Sequence, residues 1–397
     1  MKNSFNLTRA RAETRFCENI IHFNNAGSSL MPIPVADALH NYLYQEERLG
    51  GYETAADQQE SLENFYHATA KLLACGTNEI AFIENATRAW DMAFYSFKFA
   101  QGDKILTTLA EYGSNVIAYN QQAQRYGVEI VFVPNDEFGQ IDIHALENLI
   151  DDRVKLISIS HVPTGGGLVN PASAVGRIAQ SARIPYLLDA CQSIGQLPLN
   201  VDEIGCDMLS GTGRKYLRGP RGTGLLYVRQ SLIEQLEPPF LDQHAATLTS
   251  PTTYQIRGDA QRFENWEQYL AGKAALGVAI DYALSYGLEA IQARIYELAQ
   301  TLRNKLRGIA GVQLTDEGLE KCGIVTFATT QLTPSAIQQR LKAHQVHVSI
   351  SEGSGSLVSF QHRGLTQVVR ASVHYYNTDQ EIDYFAELLQ TMLSNQA

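Results

Sequence analysis

Val154-Lys155-Leu156-Ile157-Ser158-Ile159-Ser160 is an apolar run of strand length. After a glycine-bearing stretch, Pro171 to Ala182 sets Ala, Val and Ile at helical spacing with proline at the start. Ile184 to Leu188 then runs into Asp189. Strand, helix and strand in this order and length make a βαβ unit, because a parallel pair needs a crossover. The unit repeats towards the N-terminus. Lys104 to Leu109 reads as a buried strand, Asn115 to Tyr126 as a helix stopped by Gly127, and Val128 to Val133 as a strand ended by Pro134. A helix over Asp142 to Ile150 and an apolar strand over Gly224 to Val228 complete the series. The pattern predicts an α/β fold whose large domain holds a mostly parallel sheet covered on both faces. Ligands in such sheets gather at the carboxyl ends of the strands, so the polar residues just after each strand are the candidates for chemistry.

Beyond Pro238-Pro239 the texture changes. Residues 240–262 show no clear period and read as a long connection. Trp266 to Gly287 and Leu288 to Ile309 read as long helices. Gly323 to Ala328, Val346 to Ile350 and Val368 to Val373 read as strands, and Pro334 to His344 and Asp379 to Leu393 as helices. Three parts are expected: an N-terminal segment 1–20, a large α/β domain 21–262, and linking helices with a smaller α+β domain over 263–397. Ser351-Glu352-Gly353-Ser354-Gly355-Ser356 is the one stretch that reads as flexible.

With 397 residues, 45% hydrophobic and 18% charged, the chain can bury a large core without disulfide or metal staples. A net charge of −11 opposes binding to phosphate backbones, so no nucleic-acid role is expected. No apolar run approaches the roughly 20 residues that a bilayer requires, and the first nine residues lack a signal-peptide core. Five widely spaced cysteines without a C-x-x-C pair fit a reducing compartment and no zinc site, so a cytoplasmic location is expected. The histidines show no metal-ligand spacing, and no metal is assigned.

The densest chemical signal runs from Ser210 through Lys215 to Gly224, where glycines, hydroxyls and arginines suit an anion. It contains neither a P-loop nor the dinucleotide fingerprint, which counts against a nucleotide-binding α/β protein, the alternative from a different class. Lys215, among Arg214, Arg218 and Arg221, sits in a field that disfavours its protonated form and favours a nucleophilic amine. Asp189 alone would read as a helix N-cap. Beside such a lysine, it is a carboxylate able to hold a protonated pyridine nitrogen, the partner that pyridoxal phosphate needs. Ala86 and Thr87 stand at a helix start suited to a phosphate, and Tyr112 follows a strand where it could stack on a planar ring. His161, at a strand end, reads equally as cofactor contact or core histidine.

These pieces in this order resemble the class V aminotransferase family. They are Phe23-Asn24-Asn25-Ala26-Gly27, Asp189-Ala190-Cys191-Gln192, Ser210 to Lys215 with its following glycines, and Arg370-Ala371-Ser372 with Tyr376-Asn377. The resemblance runs from about Asn24 to Asn377 and implies a fold-type I, pyridoxal-5'-phosphate-dependent homodimer acting on an amino acid. It implies that Lys215 carries the cofactor covalently, Asp189 pairs with the pyridine nitrogen and Gln192 with the phenolic oxygen. Tyr112 would stack on the ring, where desulfurases carry histidine. Ala86, Thr87, Ser210 and Thr212 would hold the phosphate. Arg370 would take the substrate carboxylate, and the turn at Asn25 would close over the substrate.

Departures from the desulfurase pattern sharpen the expectation. The stretch Ser351 to Arg363 has no cysteine where desulfurases carry their persulfide-accepting thiol. Arg214 replaces the usual histidine, His161-Val162 is followed by Pro163-Thr164, and Arg262 to Glu267 lacks the threonine lent to a partner's phosphate site. These features are closer to the ergothioneine-pathway sulfoxide lyase and the epimerases. A C–S β-elimination lyase on a cysteine-derived amino acid is therefore expected, with aminotransferase, epimerase or racemase, and desulfurase as alternatives.

Overall fold

A computed structural model describes residues 5–394; residues 1–4 and 395–397, the outer ends of the first and last expected segments, lie outside the described residues. Its centre is a seven-stranded sheet in the order Ile80–Ile83, Gly224–Val228, Met208–Thr212, Tyr186–Asp189, Val154–Ser160, Lys104–Thr108, Glu129–Val133. Gly224–Val228 is antiparallel to both neighbours, and every other pair not involving it is parallel. Ile80–Ile83 therefore points the same way as the parallel strands, and six carboxyl ends share one edge. The strands read as continuous apolar runs because both faces are covered. Leu106, Ile157, Leu188 and Leu209 enter one apolar core, while their neighbours Ile105, Leu156, Leu187 and Met208 enter the other.

The helices expected from the sequence are present, and Leu7–Ala12, Ile33–Leu49, Gly51–Asp57 and Gln59–Leu73 are added near the N-terminus, where the sequence reading places none. Gly113–Tyr126 ends where Gly127 takes φ +70°, a left-handed cap that glycine adopts without strain. The helix Leu270–Tyr286 packs against Ile33–Leu49 and Gln59–Leu73. It is apolar nearly all round and buried. Among the described residues no single helix is long and apolar enough to cross a membrane.

The C-terminal sheet is antiparallel, in the order Val312–Leu314, Ile324–Thr329, Gln367–Ser372, Ser349–Glu352. Helices Leu288–Arg307, Pro334–Ala343 and Asp379–Ser394 cover it. The start of the chain runs along this sheet rather than the large one. Ile21–His22 pairs in parallel with Val346–His347, and the Ser372 N–H donates to the Phe23 carbonyl at 2.7 Å.

Two stretches differ from the sequence reading. The connection 240–262 contains a hairpin, Ala246–Ser250 with Thr253–Ile256, whose side chains are largely exposed. Ser351 to Ser356 is folded rather than loose. Ser351 and Glu352 close a strand, Gly353–Gly355 is a 3-10 turn, and Ser356 is buried. A Cβ on Gly113 would lie 2.7 Å from the Ser354 carbonyl oxygen, which shows how closely this turn rests on the large domain.

Candidate active site

Four parallel strands and the helix after a fifth deliver their polar residues to one cavity at the common carboxyl edge. Its wall includes Ala86 and Thr87, Tyr112, Ser160 and Thr164, Asp189 and Gln192, and Thr212 with Lys215. At one end lies the start of helix Ala86–Phe94. The Asn85 side chain caps the Arg88 N–H at 2.9 Å, which leaves the earlier N–H groups of the helix directed at any anion there. Gly224 makes this approach possible. A Cβ there would sit 2.7 Å from the Asn85 carbonyl carbon, 2.9 Å from the Gly211 oxygen and 3.0 Å from the Ala86 nitrogen. Thr212 reaches the cavity wall. Ser210, expected beside it, is buried behind with its Oγ unpartnered, because two residues along the strand separate it from the open edge.

Lys215 is buried, and its Nζ lies 3.5 Å from the Cys191 sulfur. Burial pushes its ammonium pKa down, and the Arg214 and Arg370 charges add to that, against Cys191 and Asp189. The sequence reading credited Arg218 and Arg221 as well, and the structure corrects it. Arg218 is fully buried, donates to the Leu30 carbonyl, the Tyr375 hydroxyl and Thr14 Oγ1, and stacks 4.4 Å over the Tyr376 ring. It rivets the N-terminal segment to the C-terminal one. Arg221 points to solvent.

Asp189 closes its strand with Oδ1 accepting from the Cys191 N–H at 2.9 Å and Oδ2 from Asn115 Nδ2 at 3.1 Å. Burial raises its pKa, opposed by those two donors and by Lys215. Tyr112, at the start of helix Gly113–Tyr126, is 37% exposed and presents its ring at the cavity. His161 is buried with Nδ1 unpartnered, and burial pulls its pKa down to about 4, so the ring is neutral. It stands beside the lining residues Ser160 and Val162 rather than among them.

Arg370 comes from the small domain. It is 8% exposed, and burial draws its pKa down to about 10. Its Nη1 donates to Thr164 Oγ1 at 2.6 Å and to the Thr164 carbonyl at 3.1 Å, and Nε donates to Ser349 Oγ at 2.9 Å. Gln192 Nε2 donates to the same Thr164 hydroxyl at 3.2 Å and to the Ala26 carbonyl at 3.1 Å, while Gln192 Oε1 has no partner. Thr164 and Ser349 were not picked out from sequence. The only signal was the unusual segment Pro163 to Gly167 after His161-Val162.

Asn25 requires a correction. It is fully buried, its Nδ2 donates to the His22 and Ser372 carbonyls, and its Oδ1 accepts from the Tyr376 hydroxyl at 2.5 Å. Its amide holds the turn in place and does not face the cavity. What the turn offers the site is backbone: the Ala26 carbonyl to Gln192, and the Gly27 carbonyl to the Arg214 guanidinium.

A phosphate-bearing pyridine aldehyde fits this donor set. The helix start and Thr212 could answer the phosphate, Asp189 a ring nitrogen, Tyr112 a ring face and Lys215 an aldehyde. The unpartnered Gln192 Oε1, and an Arg370 guanidinium whose hydrogen bonds go to the uncharged Thr164 and Ser349, mark the remaining polar demand.

Comparison with known proteins agrees. Residues 21–385 match the description of the aminotransferase class-V family. A probable cysteine desulfurase of Methanothermobacter thermautotrophicus is 27% identical over 377 residues, spanning 93% of this chain and 94% of that protein. The apo structure of a cysteine desulfurase from Thermococcus onnurineus superposes with a TM-score of 0.91 at 25% identity, covering 98% of each chain. A cystine C–S lyase solved with its reaction product cysteine persulfide shares the fold, with a TM-score of 0.83 at 22% identity over 93% of this chain and 97% of that one. The chain belongs to the class V aminotransferase family, pyridoxal-phosphate-dependent enzymes of fold type I.

Proposed function

We propose that the protein is a C–S lyase that removes the sulfur group of a cysteine-derived amino acid by β-elimination. The observation that carries this reading is the stretch Ser349 to Arg363 beside the cavity, which supplies serines and no thiol. A desulfurase must pass sulfur to a reachable cysteine. Cys206 and Cys322 are both buried, and burial pushes the Cys322 thiol up to about 11. Cys191 lies under Lys215 on the cofactor side. Elimination needs none of them.

Bound pyridoxal phosphate supplies an electron sink for the negative charge left at the substrate Cα. Ala86, Thr87 and Thr212 are the residues to hold its phosphate, with Asp189 at the ring nitrogen and Tyr112 over the ring. Arg370 orients the substrate through its α-carboxylate, a task suited to a planar guanidinium already fixed by Thr164 and Ser349. Lys215, with its pKa lowered, is the base that takes the Cα proton.

We infer in addition a cytoplasmic homodimer. Leu43, Tyr44, Leu49 and Tyr52 expose an apolar surface over helices Ile33–Leu49 and Gly51–Asp57, suited to a second copy. Light scattering on the purified protein checks the dimer.

The test of function is product analysis with cysteine, cystine and cysteine sulfoxides. Elimination yields pyruvate, ammonia and the sulfur leaving group. Alanine with a persulfide would make the protein a desulfurase, as its relatives are named. A requirement for a 2-oxo acid would make it an aminotransferase, and loss of chirality alone an epimerase.

A further inference from the structure

Glu111 lies behind Asp189, is 1% exposed, and has no part in the chemistry described above. Its Oε1 accepts from the Tyr112 N–H at 2.8 Å, Asn115 Nδ2 at 2.9 Å and Ser160 Oγ at 2.5 Å. Its Oε2 accepts from Thr107 Oγ1 and the Ser160 N–H, both at 3.0 Å. Three of these five donors, two backbone N–H groups and an amide, can only donate. Burial and the neighbouring Asp189 charge push its pKa up to about 7, against the Ser160, Tyr112 and Asn115 donors that favour the anion, so a positive charge brought close to the pair would tip it to the ionised form. Among the described residues no Lys, Arg or His lies within ion-pair distance of it.

Asn115 links this carboxylate to the active site. The same Nδ2 that donates to Glu111 Oε1 donates to Asp189 Oδ2 at 3.1 Å, so one amide nitrogen spends a hydrogen on each carboxylate. The two acids thus form a buried pair joined by one amide, of which Asp189 lines the cavity and Glu111 lies behind it.

We propose that Glu111 is a positioning residue of the cofactor site: through Asn115 it fixes the Asp189 carboxylate and sets a second negative charge behind it, so that the site selects a ring whose nitrogen is protonated. In an interior of low effective dielectric two neighbouring anions repel, and a proton on the ring nitrogen is the neutralising charge that the bound cofactor can bring. Glu111 also caps the Tyr112 and Ser160 N–H groups, a structural task that would weaken the binding of any ligand on removal. The test must separate the two.

The experiment measures calorimetric binding of two probes to the apoprotein: pyridoxal 5'-phosphate, and its 1-deaza analogue in which a C–H replaces the ring nitrogen. The proposal rests on the cofactor assignment, and a wild-type protein that bound neither probe would overturn that assignment instead. In Glu111→Gln the preference for the nitrogen-bearing ring is expected to fall about tenfold, as one lost charge interaction of this kind produces, on top of any loss that both probes share through the caps. Asn115→Ser cuts the link while keeping the caps on Tyr112 and Ser160, and is expected to lower the same ratio. It decides alone if the first variant does not fold. A preference that stays at the wild-type value, whether or not both affinities drop together, would overturn the proposal and leave Glu111 a backbone cap.

Discussion

Replacing Arg370 by glutamine should abolish recognition of the substrate carboxylate while leaving the fold standing. The guanidinium is buried, and its hydrogen bonds go only to Thr164 and Ser349, which carry no charge. Its pKa falls from the usual arginine range to about 10, which corresponds to roughly 3 kcal/mol of cost for keeping the charge there. The hydrogen bonds lost in Arg370→Gln each return about 1 kcal/mol, so the two effects nearly offset and stability should change by less than about 2 kcal/mol. Binding has no such offset. A bidentate carboxylate pair loses charge-assisted hydrogen bonds of about 1.5–3 kcal/mol each, and a net loss of about 3 kcal/mol lowers kcat/KM roughly 150-fold. The assay compares a cysteine-derived amino acid with its decarboxylated amine in both proteins. Wild type should favour the amino acid by about two orders of magnitude, and the variant should lose that preference with the amine reacting as before. Equal losses on both compounds, or unfolding of the variant, would refute the assignment of Arg370 as the carboxylate site.

Gly224→Ala should raise the dissociation constant for pyridoxal phosphate at least about tenfold with an unchanged circular dichroism spectrum, because the new Cβ must displace the start of helix Ala86–Phe94. Unaltered affinity in ultrafiltration would contradict the phosphate site. Asp316→Ala strands Arg303, which is 1% exposed and also donates to the Cys322 and Ile324 carbonyls, and urea denaturation should show a loss of about 3–5 kcal/mol. Burial pushes the Glu264 carboxyl up, but His244, Lys273, the Phe82 N–H and Tyr66 together hold it below the ordinary range. An acid depressed in the folded state stabilises above its unfolded pKa of about 4.3 and loses that contribution as pH falls through the folded value. The stability gap between wild type and Glu264→Gln should therefore be full at about pH 6 and shrink below about pH 4, and a gap independent of pH would contradict the network.

What the sequence made legible was whatever is local. Val154–Ser160 and Gly224–Val228 were readable to the residue because both faces are buried and turn residues bound them. Lys215, Asp189, Gln192 and Arg370 were picked out because each sits in a short motif with a definite place in the strand–loop–helix series; the structure puts the first three on one cavity wall and bonds Arg370 to Thr164 of that wall. The hairpin Ala246–Ser250 with Thr253–Ile256 was not, since its side chains reach no core and carry no apolar alternation. Asn25 and Arg218 were misassigned for another reason. Their partners, Tyr376 for one and Thr14, Leu30 and Tyr375 for the other, lie far along the chain, and only the tertiary fold shows that their polar groups are used up. The same distance in sequence hid Thr164 and Ser349.

The account depends most on a covalent bond between the cofactor and the Lys215 amine, next to the Asp189 carboxylate. Borohydride reduction of the holoprotein, followed by digestion and mass spectrometry, reads that bond directly. The predicted result is a single pyridoxyl-phosphate adduct on the peptide containing Lys215, with the visible absorbance lost on reduction. An adduct on Lys273 or any other lysine, or none at all after saturation with the cofactor, would contradict it.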